Sequence, residues 1–161
     1  MKIIKLNSLN EFQFQELFKI WNAEYPEILN YKNLEDFKVY LHNLIQPNHY
    51  LVINQEDQIF GWYFDFEREN QRWFGIILSS KLHGRGLGRR LLEIGKKTQK
   101  ELCGWVINEE KYLKSDGSLY KSPLGFYQKN DFGIDDRVAL ETEKFKAIKI
   151  SWKSSLADKL Q

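Results

Sequence analysis

Apolar residues recur at three- and four-residue spacing through Phe14, Leu17, Phe18 and Trp21, and again through Phe37, Tyr40, Leu41 and Leu44. A stripe of that period lies along one face of a helix, so the pattern predicts two amphipathic helices. Asn10 or Ser8 is placed to cap the first, which Tyr25-Pro26 ends. Asn33 caps the second, over residues 34–44, and Pro47 closes it. Residues 2–6 ahead of them read as a short strand. The period then changes to that of strands over 49–53, 58–67 and 72–78. The links Gln55-Glu56-Asp57 and Glu69-Asn70-Gln71 are short and polar, as antiparallel hairpins require. A third helix starts at Leu87, with Leu91, Leu92 and Ile94 inward and Arg89, Arg90, Glu93, Lys96, Lys97 and Lys100 outward. After Gly104 come the strand-like Trp105-Val106-Ile107, a polar stretch ending in the turn Asp116-Gly117, a short helix over 124–129, and two strands within 138–152. The order predicts an α+β (mixed α/β) fold.

Composition narrows the class. The 161 residues are 42% apolar and 15% aromatic, enough for one domain with a sizeable core and too few for two ordinary ones, so 1–161 is expected to form a single domain. The net charge of +2 gives no field that argues for a nucleic acid partner. The single cysteine, Cys103, cannot form an internal disulfide or a metal cluster, and it is expected as a small buried residue at the end of the third helix. That fits a reducing, cytoplasmic setting. No stretch approaches the roughly 18 apolar residues of a membrane span, and the N-terminus lacks the apolar run of a signal peptide. A soluble, unexported protein with no resident metal is the expectation.

The chemistry concentrates at His83-Gly84-Arg85-Gly86-Leu87-Gly88-Arg89-Arg90, between the apolar run 73–78 and the third helix. Strand, glycine loop and helix make an anion-binding arrangement. Glycines admit positive φ and leave room for backbone N–H groups to converge on a phosphate at the positive end of a helix dipole. Cations at a helix N-terminus are unfavourable unless an anion offsets them, so Arg85, Arg89 and Arg90 argue against an empty tight turn. A Walker A loop would need Lys and then Ser or Thr after its last glycine, where Arg89 and Arg90 stand. A dinucleotide fingerprint needs Gly-x-Gly-x-x-Gly early in a βαβ unit, whereas Gly-x-Gly-x-Gly here follows three hairpin-like strands.

Ile76-Ile77-Leu78, then Leu82 to Arg90 and Leu91-Leu92, resemble motif A of the GNAT family of acyl-CoA N-acyltransferases, whose loop reads [Gln/Arg]-x-x-Gly-x-[Gly/Ala]. Gly86 and Gly88 fill the small positions, and His83 stands where Gln or Arg is usual. Phe126-Tyr127-Gln128-Lys129-Asn130-Asp131-Phe132 is similar to the family's Tyr-Glu-Lys-x-Gly-Phe signature, with Asp131 replacing the glycine. The resemblance implies a twisted, mostly antiparallel sheet of about seven strands flanked by about four helices. It also implies acetyl-CoA as cosubstrate and an N-acetyltransferase acting by direct attack of a primary amine in a ternary complex. The backbone of Ile76, Ile77 and Leu78 would pair with the pantetheine arm. His83, Gly84, Arg85, Gly86, Leu87, Gly88 and Arg89 would hold the pyrophosphate.

Acyl transfer needs a neutral amine. An amine of pKa near 10.4 costs roughly 4.6 kcal/mol to deprotonate at pH 7, and the departing thiolate needs an acid. By resemblance Tyr127 is that acid. Family members often carry a base on the strand before the loop, but residues 72–78 hold no carboxylate. Asp65 and Glu67 on the preceding strand, on one face with Tyr63, are the nearest alternatives, as base or water relay; the bland reading is a solvated strand face. His42 and His49 read as structural. Tyr120 stands where the family often has asparagine, which leaves a catalytically degenerate acyl-CoA sensor or scaffold as the alternative function. Residues 109–119 read as an inserted loop, either a wall of the acceptor pocket or a surface excursion. Its Glu109, Glu110 and Asp116, with Glu24 and Glu27, hint at a cationic acceptor: a polyamine, an amino sugar, or a protein or peptide amine. Aromatic strands near the C-terminus make a homodimer an expectation.

Overall fold

The computed structural model describes residues 1–155. Seven strands form one sheet in the order β1-β2-β3-β4-β5-β7-β6. They are β1 (Lys2–Leu6), β2 (Ile45–Ile53), β3 (Ile59–Arg68), β4 (Gln71–Leu78), β5 (Glu101–Val106), β6 (Gly133–Glu141) and β7 (Lys146–Lys153). The helices are α1 (Glu11–Glu24), α2 (Leu34–His42), α3 (Leu87–Thr98) and α4 (Leu124–Lys129). Every neighbouring pair is antiparallel except β4 and β5, which run parallel.

Local chemistry sets these boundaries. Asn10, not Ser8, caps α1: its side chain accepts from the Gln13 N–H at 2.8 Å and Gln13 answers to the Asn10 N–H at 2.9 Å, a capping box that satisfies two orphan donors. Asn33 caps α2 as the sequence predicts. That helix ends at His42, before the expected residue 44, and Pro47 does not close it; Pro47 lies inside β2, where the register shifts between Ile45 and Asn48. A bulge tolerates proline because it leaves that N–H unpaired anyway. β3 and β4 are joined by Glu69 and Asn70 alone, both at positive φ (53° and 61°), the two-residue hairpin whose twist matches its strands. β5 begins four residues earlier than the apolar run indicated. Cys103 is therefore in mid-strand, opposite Trp73 and Ser151, rather than at a helix end.

Two cores sandwich the sheet. Leu17, Phe37 and Trp62 bury α1 and α2 against one face. Leu91, Leu92 and Tyr63 bury α3 against the other. Each such side chain contributes roughly 1.5–3 kcal/mol of transfer free energy, so both layers are held firmly. No helix among the described residues is long and apolar enough to cross a membrane, and no cluster of metal-ligating side chains occurs among them.

Candidate active site

β4 and β5 pair only at Trp73 and Cys103. Past that point they part, and a cleft of about 600 Å³ opens between them. Gly104 sits at its base, where a Cβ would stand 3.2 Å from the Phe74 carbonyl oxygen, a tight contact that glycine avoids where the strands approach before diverging. Residues 74–78 line one wall. With no strand beside them there, alternate amides and carbonyls of β4 face the cleft and, apart from the Leu78 carbonyl that His83 engages, are free to pair with an extended ligand.

The glycine loop closes one end. Gly84 and Gly86 lie in the left-handed region at φ 78° and 77°, with open space where a Cβ would project. Gly86 is the N-cap of α3 and supplies no side chain to cap it; the first helical bond runs from the Arg90 N–H to the Gly86 carbonyl. The N–H groups of Leu87, Gly88 and Arg89 thus have no intrahelical acceptor, and they stand at the positive end of a twelve-residue helix. His83, the loop's departure from the family pattern, has Nε2 2.8 Å from the Leu78 carbonyl. A carbonyl only accepts, so Nε2 carries the proton, and the ring ties the loop to the end of β4. All the residues predicted to hold the cofactor line the cleft except Arg85, which is exposed outside it.

Tyr127, on α4, lines the cleft and is 7% exposed, packed edge-on against Phe74. Burial, then the neighbouring Tyr120, pushes its phenol well above the ordinary value. Burial takes Tyr120 up to about 12 and raises Tyr25, which Tyr120 and Tyr127 raise further. These three cleft phenols are protonated donors across the physiological range. Tyr25 was not foreseen; next to Pro26 it reads only as a helix stop.

Asp65 and Glu67 do not line the cleft. The strand face that read as solvated is buried: Asp65 is 0% exposed, and its carboxylate accepts from Asn48 Nδ2 (2.8 Å), Tyr63 Oη (2.6 Å), Arg72 Nε (2.9 Å) and Arg72 Nη2 (2.5 Å). Three of these donors meet Oδ1 and one meets Oδ2, so both oxygens are engaged. Glu67 lies two pairs further along β3, opposite Arg72 on β4. Alternation placed Tyr63 and Asp65 on one face correctly, but it could not tell that α3 covers that face. His49 is structural, as expected: it is buried, stacked on Trp62 and accepts its indole N–H at Nδ1 (3.2 Å), and burial lowers its pKa to about 4 against a small opposing effect of Asp65. Cys103 is buried and its thiol is pushed up to about 11, mainly by burial, so it is no nucleophile at neutral pH.

The carboxylate that does line the cleft is Glu24, at the end of α1. Its Oε1 accepts the Ser80 N–H (3.1 Å) and its Oε2 pairs with Lys114 Nζ (3.2 Å). Lys114 belongs to residues 112–120, a small hairpin bridged at Leu113 and Leu119 and turned at Gly117 (φ 85°). The insertion is therefore no loose excursion. The Leu113 carbonyl accepts the Glu27 N–H, and Ser115 Oγ accepts from Asn30 and donates to the Asn22 carbonyl. These bonds fasten it to the end of α1, and Tyr120 and Lys121 bring its far end into the cleft wall.

The fold has close counterparts among solved structures. An aminoglycoside 6'-N-acetyltransferase complexed with coenzyme A matches over 95% of this chain and 97% of its own, at 12% identity and a TM-score of 0.67. An acyl-CoA N-acyltransferase from Pseudomonas aeruginosa matches over 93% and 97%, at 12% identity and 0.68. A variant spermidine N-acetyltransferase from Vibrio cholerae matches over 95% of each chain, at 12% identity and 0.61. No protein-family model and no curated protein sequence matches. The chain has the acyl-CoA N-acyltransferase (GNAT) fold, a seven-stranded mixed sheet with four helices among the described residues.

Proposed function

We infer that the protein transfers an acetyl group from acetyl-CoA to a primary amine, by direct attack within a ternary complex. The carrying observation is one continuous cleft that runs from an uncapped helix N-terminus, along unpaired β4 backbone, to a buried protonated phenol. The amides of residues 84–89 suit the pyrophosphate, and residues 76–78 suit the pantetheine arm. His83 keeps the loop in register instead of acting as a base.

Chemically, the amine nitrogen bonds to the carbonyl carbon as the carbon–sulfur bond breaks. Tyr127 donates its proton to the departing sulfur and recovers one released by the amine. Glu24 is the carboxylate placed to take the other proton, the one the bound ammonium loses before it attacks, directly or through water, in the role the sequence gives to Asp65 and Glu67. A sensor that binds acyl-CoA without transfer would share the loop but not the chemistry. Mixing protein, acetyl-CoA and a panel of primary amines separates the two: free thiol and N-acetylated amine accumulate one for one if transfer occurs. Tight CoA binding with no product from any amine would leave only the sensor.

A further inference from the structure

Glu24 and Lys114 are 13% and 14% exposed at their side chains, so the pair is largely withdrawn from water. A carboxylate so placed is costly without a cation partner. Among the described residues, Glu24 is the sole carboxylate in the cleft lining; the lining cations are Arg89 and Lys121, and Tyr25, Trp105 and Tyr120 add aromatic side chains to it. An incoming ammonium can take the place of Lys114 Nζ on Oε2 while the Ser80 N–H keeps Oε1, so the carboxylate is never left unpaired. Lys114 stands on a hairpin of largely exposed residues, and its flexible stem can carry the displaced charge to water.

A second positive charge on the acceptor would find no such partner. Glu109 is paired with Lys111, Asp116 accepts from Ser118, Glu110 accepts from the Ser122 N–H, and none of the three lines the cleft. A polycation would instead meet Lys121 and the displaced Lys114. An apolar body would meet these aromatic side chains, whose rings also favour a nearby ammonium.

We propose that Glu24 is the ammonium-binding group of the acceptor site, that Lys114 is the cation it exchanges, and that the acceptor is a primary amine carrying one positive charge on an alkyl or arylalkyl body. This rests on the transferase reading above, and it replaces the polyamine and amino-sugar hint of the acidic loop. The test is calorimetric titration of 2-phenylethylamine and of spermidine into free and CoA-loaded protein. Phenylethylamine should bind at least about tenfold more tightly than spermidine, and Glu24→Gln should weaken it about tenfold or more. Lys114→Met should strengthen phenylethylamine binding severalfold by removing the competing cation, a gain that no folding defect imitates. Spermidine binding as tightly as the monoamine, or a Lys114→Met affinity no higher than wild type, overturns the proposal. The CoA titration is read separately: amine binding without CoA binding sinks the transferase reading and leaves the Glu24 site standing.

Discussion

Asp65 is the residue whose surroundings most change its meaning. Its carboxylate joins β2, β3 and β4 through Asn48, Tyr63 and Arg72, so its work is to hold the sheet. Asp65→Asn removes the charge that answers the Arg72 guanidinium and leaves it the Gln46 and Asp65 carbonyls, and unfolding free energy in urea should fall by about 3 kcal/mol. Below the melting range kcat should be nearly unchanged; a kcat collapse in a folded variant would restore Asp65 as a base. His49 carries the clearest pH signature. Its native pKa near 4 lies below the ordinary 6.5, so between those values the unfolded chain binds more protons than the native one. Stability from this group is complete above about pH 6.5 and is lost as pH falls toward 4, by up to about 3 kcal/mol. His49→Gln keeps an acceptor for the Trp62 indole and should flatten that slope; an unchanged slope would show that His49 is charged in the fold.

At the scale of elements, the glycine loop makes the sharpest demand. Gly86→Val places a β-branched side chain at φ 77° and projects it into the space over the helix N-terminus. CoA affinity, measured by calorimetry on the folded variant, should drop at least about tenfold, alongside a stability loss of about 1–2 kcal/mol from the left-handed backbone; an unchanged affinity would remove the loop from cofactor binding. This loop was legible in the sequence because phosphate binding needs glycine at fixed spacing. The periods of α1, α2 and α3 were equally plain, since each buries one stripe. The sequence reads short at the start of β2 because Pro47, which lies in a bulge, mimics a helix stop. Glu24, Tyr25 and Tyr120 converge from α1 and the 112–120 hairpin through tertiary contacts that leave no local period.

For the whole molecule, the parallel meeting of β4 and β5 at a single residue pair is the organising event. It splits an otherwise continuous sheet, and the helix N-terminus, the free strand backbone and the Tyr127 phenol all address the opening. Neither edge strand takes part: β1 and β6 lie at the sheet's two margins. The aromatic residues near the C-terminus do not form the exposed surface first expected, since Phe132 is buried and Phe145 and Trp152 are partly so. Exposed apolar side chains on β6 are limited to Ile134 and Val138 among those of large size.

The most direct measurement is the initial rate of amine-dependent thiol release from acetyl-CoA by wild type and Tyr127→Phe, with CoA affinity determined for both. Removing the acid should lower kcat by about a hundredfold or more while CoA affinity stays within about twofold. Equal rates in the two proteins, or no amine-dependent release by a wild type that binds CoA, would contradict transfer at this cleft.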